Sequence, residues 1–371
     1  MKKILFFIPT LMHGGAEKVL VNLVNNLDNT KYDITVQTIF DEGVHKKNLK
    51  KSIRYKYIFK NLFHGSSTLF KLFSPEYLYY KYIEEEYDIV VSYLEGPTAR
   101  ILSGCPFKNT KKIAWIHIEL NDSKMIANGF RSFNEAIKCY KRYNKIICVS
   151  ETVKEIFCRN SGINSYVDVL YNTNETDKIL ADSLEEVNDI DFSEDIINIC
   201  SVGKLVKTKG YDRLARVHKK LIDEGLQHRI YILGIGEDKE KIEKYLKENN
   251  LEKSFKLIGF RENPYKYVSK CNLFVCSSIR EGFSTSVTEA LIVGTPVLST
   301  LCSGAQELLG YNNEYGMVVE NSEQGIYKGI KKLLLDKELL ERYKKVSGSR
   351  GKKFSKEKTI DAFNQMLNSL E

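Results

Sequence analysis

Short apolar runs alternate with longer segments of helical period along the chain, which is the pattern of a parallel sheet with covering helices. The apolar runs predict two series of strands, at 4–8, 34–39, 89–93, 113–117, 146–149 and 167–170, and at 196–202, 230–233, 255–258, 273–276, 297–300 and 317–319. An acidic, irregular stretch at 172–195 separates the two series, and each opens with a strand that leads into a glycine-containing loop. We therefore expect an α/β protein with two doubly wound, Rossmann-like domains that face each other across a cleft.

The length of 371 residues also suggests two domains, each large enough to bury a core. We place these domains at 1–180 and 181–355, followed by a last helical segment at 356–371. Hydrophobic residues make up 43% of the chain and charged residues 28%, proportions that argue against disorder.

The eight cysteines form no C-x-x-C pair and several lie inside apolar runs, so we expect reduced, buried thiols in a cytoplasmic protein. Cys271 and Cys276 have no matching pair of His or Cys at zinc spacing, so no metal site is expected there. The basic start and apolar run at 1–8 resemble a signal peptide, but a buried first strand is the better interpretation because no small-residue cleavage site follows. No stretch of about 18 apolar residues is uninterrupted, so any membrane contact should be peripheral.

The most informative segment lies between Glu281 and Glu289, in a polar, glycine-containing turn that follows a predicted strand and leads into a helix. Ligands of open α/β sheets collect at such strand-to-helix junctions. Backbone N–H groups at the start of a helix can hold phosphate, and the two carboxylates can hold sugar hydroxyls. The turn is suited to a nucleotide-sugar, although a lone pair of acids at this spacing is more often two solvated helix charges.

Three other segments favour the functional interpretation. They are Gly14-Gly15-Ala16-Glu17-Lys18-Val19-Leu20, Trp115-Ile116-His117 at a strand end, and the basic loop Gly203-Lys204-Leu205-Val206-Lys207-Thr208-Lys209-Gly210. With the Glu281-x7-Glu289 pair they resemble, in order and over nearly the whole chain, the motifs of retaining GT-B-fold glycosyltransferases, in particular family 4 enzymes of the bacterial capsular and exopolysaccharide type. The resemblance implies transfer of a sugar from a nucleoside diphosphate, with UDP as the expected nucleotide, to a growing glycan. It also implies that the last helix crosses back onto the first domain.

The resemblance assigns a role to each matching residue. His117 and Glu281 would be catalytic, with His117 near the reacting carbon and Glu281 on the hydroxyls of the donor sugar. The other donor-binding positions would be Gly14, Gly15, Lys204, Lys209, the backbone of Phe283, Ser284, Thr285 and Ser286, and Glu289 on the ribose. Lys204 stands where relatives more often carry Arg. Glu119 follows His117 by two residues where many relatives have Asp directly after the histidine, so its role stays open.

Lysines and helix-start amides can neutralise the charge that grows on a diphosphate leaving group without a metal ion. We therefore expect no metal and no cofactor, since the nucleotide-sugar is a substrate. Gly14 and Gly15 lack Cβ atoms, so a phosphate or the acceptor can approach the backbone there. Gly234-Ile235-Gly236 lacks the third glycine of a dinucleotide fingerprint and is expected only to close a strand.

The segment 44–82 carries nine Lys or Arg residues against a single acid, Glu76, and many aromatic residues between them. This composition is suited to an anionic membrane surface, and therefore to a lipid-linked acceptor at the inner face of the plasma membrane. Single-stranded nucleic acid also binds cations and aromatics, but the sequence holds no nucleic-acid-binding motif. An ordinary basic face with core aromatics is an equally good interpretation.

Two other classes of function remain open from the sequence. A nucleotide-sugar epimerase with the same fold would share the donor-binding residues, and a noncatalytic glycan- or membrane-binding module would need neither acid.

Overall fold

Two parallel sheets organise the computed structural model of the chain, which describes residues 1–63, 65–192 and 195–370, with only the backbone at 66 and 67. The contacts divide the chain into two units, the first made of Met1–Thr173 with the segment from Glu357 onward and the second of Asn174–Lys356. The parts of the sequence predictions that fall on His64, Ser193, Glu194 and Glu371 lie outside the described residues.

The strands follow each other in chain order through both units. In the first unit they are β1 (Lys2–Ile8), β2 (Tyr32–Phe40), β3 (Arg54–Phe59), β4 (Ile89–Ser92), β5 (Lys111–Ile116), β6 (Lys145–Cys148) and β7 (Val167–Val169). In the second unit they are β8 (Ile197–Val202), β9 (His228–Leu233), β10 (Phe255–Gly259), β11 (Leu273–Cys276), β12 (Val297–Thr300) and β13 (Met317–Val319).

Helices connect these strands. They are α1 (Gly15–Asn26), α2 (Ser66–Lys71), α3 (Pro75–Tyr82), α4 (Pro97–Leu102), α5 (Ser123–Ile126), α6 (Phe133–Tyr140), α7 (Glu151–Ser161), α8 (Thr176–Ser183), α9 (Tyr211–Asp223), α10 (Lys239–Glu248), α11 (Tyr265–Lys270), α12 (Thr285–Ile292), α13 (Ala305–Leu309), α14 (Glu323–Leu335), α15 (Lys337–Gly351) and α16 (Lys356–Asn368). Short 3-10 helices lie at Val44–Asn48, Lys207–Lys209 and Lys352–Phe354.

The first sheet has the order β3-β2-β1-β4-β5-β6-β7, and its strands pair in parallel. The interior strand β1 is apolar on both faces, and its residues from Ile4 to Ile8 are fully buried. Ile4 lies between Ile34 of β2 and Ile89 of β4. Helices cover both faces of such a sheet, which explains why the strand appears in the sequence as a continuous apolar run.

The edge strand β3 was missed by the sequence analysis. Its residues Arg54–Phe59 alternate cations with aromatics, and none of them is fully buried. Arg54 and Lys56 are held by Glu85, with nitrogen-to-oxygen distances of 3.0 and 2.7 Å. Charges on an edge strand limit pairing with other chains, and these same charges conceal the strand from a search for apolar runs.

The second sheet has the order β10-β9-β8-β11-β12-β13, again with parallel pairing. Ile199, Ile230, Val275 and Leu298, one from each of four strands, belong to a single buried cluster that includes residues of α9, α10, α14 and α15. Each sheet therefore has its own core. The strand order reverses between β1 and β4 in the first unit and between β8 and β11 in the second, which is where doubly wound sheets bind ligands.

The predicted α/β fold with two Rossmann-like domains is confirmed, and the twelve predicted strands coincide with twelve of those observed in the described residues. The last helix, α16, belongs with the first unit as expected. The ring of Phe363 lies 6.1 Å from those of Phe6 and Trp115, and Tyr32 donates a hydrogen bond to Asn364. Among the described residues, no helix is long and apolar enough to cross a membrane.

Candidate functional site

Two loops of the second unit meet at the strand-order reversal, one after β8 (residues 203–210) and one after β11 (residues 277–284). The N–H of Ile279 donates to the carbonyl of Thr208 at 2.7 Å, and the hydroxyl of Ser277 donates to the carbonyl of Lys209 at 2.9 Å. These bonds join the predicted basic loop directly to the predicted acidic turn.

Gly210 and Arg213 fix the geometry of this junction. Gly210 has a φ of +66°, and a Cβ atom there would collide with the carbonyl oxygen of Ser277, so only glycine fits. The buried Arg213 donates to the carbonyls of Ser277 and Ser278, at 2.6 and 2.8 Å, and to the side chain of Asn321 at 2.7 Å. Arg213 is not among the residues that the sequence predicts, since nothing in the local sequence shows that its partners lie on the loop after another strand.

Lys209 and Glu281 form an ion pair at the centre of the junction. The Lys209 Nζ lies 2.6 Å from Oε1 of Glu281, and the same oxygen accepts a hydrogen bond from Ser278 at 2.6 Å. Burial would lower the pKa of Lys209, but the charge of Glu281 outweighs that cost and raises it above its usual value. The structure thus brings together a predicted phosphate cation and a predicted sugar-binding acid, and it keeps the ammonium charged.

The rest of the basic loop is held by the last residue of β9 and by the loop that follows β9. The N–H of Gly203 donates to Leu233 at 3.0 Å, and the N–H of Leu205 donates to Ile235 at 2.9 Å. Gly234 lies so close to the Gly203 backbone that a Cβ atom would overlap with it. This close contact explains why position 234 is a glycine. The side chain of Lys204, on the basic loop, is exposed.

Helix α12 begins directly after the acidic turn. Ser284 is its N-cap and accepts a hydrogen bond from the N–H of Val287 at 3.5 Å. The ring of Phe283 is buried and packs 5.5 Å from that of Phe354. The predicted amide nest, Phe283 to Ser286, is therefore the start of a helix whose first N–H groups carry a partial positive charge.

Glu289 lies in the second turn of α12 and is buried. The hydroxyl of Tyr265, from α11, lies 3.3 Å from its Oε1. A buried carboxylate needs such partners, because burial without them is costly. Tyr265 is a second partner of a predicted site residue that the sequence does not predict, since the predicted motif ends at Glu289 itself.

His117, the candidate of the first unit, lies one residue beyond the end of β5 and not within the strand. Its backbone N–H donates to the carboxylate of Glu95 at 3.0 Å, a residue that the sequence analysis missed. Its ring lies 4.9 Å from that of Tyr93 and stacks on that of Trp115 at 6.1 Å. The imidazole is buried, which lowers its pKa to about 3. It is therefore neutral at pH 7, and within the described chain its Nε2 has no hydrogen-bond partner.

The other predicted positions of the first unit are less defined. Gly14 precedes α1 with extended backbone, and the carboxylate of Glu17 folds over the place where its Cβ would be. Gly15 is the first residue of the helix. Glu119 lies beyond the end of β5, so the alternation of a strand no longer fixes its direction, and it accepts a hydrogen bond from Asn121 at 3.1 Å.

Within the residues that the structure describes, no group of three or more His, Cys, Asp or Glu side chains could hold a metal ion. The chain does contain one Asp-x-Asp tripeptide, at residues 189–191. Asp189 pairs there with Arg261 at 3.0 Å and accepts from the hydroxyl of Tyr267 at 2.9 Å. This acid is engaged in a structural contact.

Both halves of the chain match family models of known glycosyltransferases. The family model described as glycosyl transferases group 1 matches residues 182–349, and that of Glycosyltransferase Family 4 matches residues 13–178. A curated relative from Campylobacter jejuni is 28% identical over 99% of this chain and 100% of its own length. It is named N-acetylgalactosamine-N,N'-diacetylbacillosaminyl-diphospho-undecaprenol 4-alpha-N-acetylgalactosaminyltransferase. The capsular polysaccharide biosynthesis glycosyltransferase CapM of Staphylococcus aureus is 30% identical over 38% of this chain and 37% of its own length.

Solved structures share the fold over the whole chain. Anabaena Alr3699/HepE, crystallised with UDP and glucose, matches with a TM-score of 0.79 at 16% identity and full coverage of both chains. The sucrose-phosphate synthase of Thermosynechococcus elongatus gives a TM-score of 0.79 at 16% identity, over 100% of this chain and 99% of that one. At this identity the likeness concerns the fold alone.

Proposed function

The chain is a glycosyltransferase of the group 1 and family 4 type with the GT-B fold, and from this premise we propose that it moves a sugar from a nucleoside-diphosphate-sugar to a growing, lipid-linked surface glycan. The proposed reaction retains the anomeric configuration of the sugar. UDP is the proposed nucleotide, and the proposed place of the reaction is the cytoplasmic face of the membrane.

One observation carries the proposal: the contact between Lys209 and Glu281 beside the start of α12. A diphosphate gains negative charge as its bond to the sugar breaks, and a preformed ammonium next to helix-start amides stabilises that charge. Glu281 holds the ammonium in place before the donor arrives. In the complex Lys209 faces the diphosphate, and the Glu281 carboxylate accepts hydrogen bonds from the sugar hydroxyls.

The other residues of the second unit complete the donor site. The amides from Phe283 to Ser286 bind the phosphate, and Glu289 accepts hydrogen bonds from the ribose hydroxyls while Tyr265 orients its carboxylate. Lys204 adds a mobile charge from the exposed side of the basic loop. No protein nucleophile is assigned, so the acceptor attacks on the face from which the diphosphate leaves.

His117 is proposed to bind the transferring sugar. A neutral imidazole can either donate to or accept from a hydroxyl, depending on its tautomer. The absence of a partner for Nε2 among the described residues supports this role, since a buried polar atom of this kind needs a ligand or a water molecule.

The names of similar proteins support the choice of substrates. The Anabaena structures contain UDP or UDP-glucose, and the Campylobacter relative is named for an acceptor linked to undecaprenol through a diphosphate. We propose the same substrate classes here, a UDP-sugar and a polyprenyl-diphosphate-linked glycan.

A panel of UDP-sugars with a lipid-linked glycan acceptor tests the proposal. UDP should be released only when the acceptor is present, and NMR of the product should show the anomeric configuration of the donor. Conversion of the donor to an epimer without acceptor would identify an epimerase instead. Absence of UDP release and of any new glycan product across nucleotide-sugars and acceptors would contradict the proposal.

A further inference from the structure

An apolar stripe on α2, α3 and the turn between them points to solvent. Leu72 is 69% exposed, Tyr80 is 84% exposed, and Leu69, Phe73 and Tyr77 are between 38% and 45% exposed. Phe73, Tyr77 and Tyr80 follow each other at helical spacing, and the first two rings stack at 5.0 Å. Apolar residues at this spacing normally face a core. We call residues 69–80 the docking turn.

The docking turn is not a loosely packed segment. Phe70, Leu78 and Tyr79, which alternate with the exposed residues, are fully buried. The ring of Phe70 lies 6.2 Å from that of Phe59 and 5.9 Å from that of Tyr82. The segment thus has an inner face that packs on β3 and an outer face that is also apolar.

Two arginines fasten this turn to the unit. The fully buried Arg100 donates to the carbonyls of Phe70 and Phe73 at 2.8 and 2.7 Å and pairs with Glu135 at 2.9 Å. Arg131 donates to the carbonyls of Lys71 and Leu72 at 2.5 and 3.1 Å. Burial of a guanidinium is costly, and here its hydrogen bonds fix the backbone of a turn whose apolar side chains are exposed.

Within residues 44–82, which include the docking turn, the charges are almost all positive. Lys60 and Lys81 are exposed, and the ammonium of Lys81 lies 5.8 Å from the ring centre of Tyr77. Glu76, the single acid within residues 44–82, pairs with Arg142 at 2.5 Å. An exposed apolar stripe with flanking cations is complementary to a bilayer surface that carries anionic lipid.

We propose that the docking turn inserts Leu72 and Phe73 into the interface of an anionic bilayer while the surrounding lysines contact lipid headgroups. The inference rests on the proposed function in one respect, since a lipid-linked acceptor is the reason why the enzyme would bind a membrane. Tyrosines suit the interface, since their rings are apolar and their hydroxyls polar. Nucleic acid is the poorer occupant, because Leu69 and Leu72 offer no ring on which a base could stack.

Vesicle co-sedimentation tests whether the docking turn binds an anionic bilayer. The full chain should bind vesicles that contain phosphatidylglycerol at low salt and bind phosphatidylcholine vesicles much more weakly. Leu72→Ser combined with Phe73→Ser should lower the partition coefficient by about tenfold or more, because two apolar side chains no longer leave water. The matched control is Leu335→Ser, in the second unit, where the leucine is 63% exposed, and it should bind as the parent does.

Insertion can be observed at a single position. Trp115 is the one tryptophan of the chain and is buried. Leu72→Trp should therefore show a blue shift of its emission when phosphatidylglycerol vesicles are added, whereas Leu335→Trp should not.

Three results would overturn the inference: no binding of the parent to anionic vesicles at low salt, equal binding of the Leu72→Ser, Phe73→Ser variant, or a self-association in sedimentation velocity that this variant abolishes while vesicles stay unbound. UDP affinity, measured by calorimetry on the same samples, separates the two proposals. It should be equal in the parent and the variant, and a failure of the docking turn leaves the donor site standing.

Discussion

The candidate residues of the two units lie in opposite electrostatic environments. In the second unit, Lys209 is partly buried yet charged, because the Glu281 carboxylate lies 2.6 Å from its ammonium and raises its pKa. In the first unit, His117 lies among Tyr93 and Trp115, and burial lowers its pKa to about 3. Burial therefore favours the neutral form of a titratable group unless an opposite charge lies beside it.

A third site shows that the charge state of a buried group depends on a nearby opposite charge and not on the unit in which the group lies. His218 of the second unit donates or accepts hydrogen bonds with His228 and Ser254, each at 2.8 Å. Burial first, and then the neighbouring His228, lower its pKa to about 3 as well. Hydrogen-bond partners that carry no opposite charge do not offset the effect of burial, so this imidazole is neutral as well.

The largest expected effect breaks the charged pair on its acidic side. Glu281→Gln should reduce turnover by about 100-fold to 1,000-fold, which is the size of effect seen when one group that stabilises a transition state is removed. UDP affinity should not fall, because Lys209 keeps its charge. The control is Glu252→Gln, at an exposed position of the same unit. Near-parental turnover in a folded Glu281→Gln protein would remove Glu281 from the reaction.

The second effect breaks the pair on its basic side. Lys209→Ala should weaken UDP binding by about 1.5–3 kcal/mol, the contribution of a hydrogen bond to a charged group. Lys207→Ala, two positions away and exposed, should bind UDP as the parent does in the same calorimetric titration. If both variants kept the parental affinity, the basic loop would not be the diphosphate site.

The third effect concerns the neutral histidine. The folded-state pKa of His117 lies below its unfolded value of about 6.5, so the unfolded chain binds more protons between pH 6.5 and 3. The first unit should therefore lose about 1.4 kcal/mol of stability per pH unit on account of His117 as the pH falls through this window. Denaturant unfolding followed by Trp115 fluorescence reports this unit. His117→Gln should flatten the dependence, and an unchanged slope would show that the imidazole is already charged in the folded state.

The smallest expected effect is none at all. Activity should survive EDTA, because Lys209 and the amides at the start of α12 can neutralise the diphosphate. The measurement is turnover before and after exhaustive chelation, with the Asp189→Asn variant as a control for the Asp-x-Asp tripeptide. Complete loss of activity that manganese restores would require a metal in the donor site.

The strands with buried faces and the charged motifs could be predicted from the sequence, since continuous apolar runs and the spacing of acids are local signals. The strand β3 could not be predicted, because the charges of Arg54 and Lys56 interrupt its apolar pattern. The sequence predicts Lys209 and Glu281 as site residues but not their contact, because the two residues are 72 positions apart. Arg213, Tyr265 and Glu95 were missed for the same reason: each acts on a loop or helix that only the tertiary structure brings near.

Hydrogen–deuterium exchange of the full chain with and without UDP tests the central claim most directly, since it locates the site without any substitution. The account predicts protection at residues 203–210 and 277–292 of the second unit, with residues 69–80 of the first unit unchanged. Protection absent from both loops, or confined to the first unit, would contradict the assignment of Lys209, Glu281 and α12 to the donor.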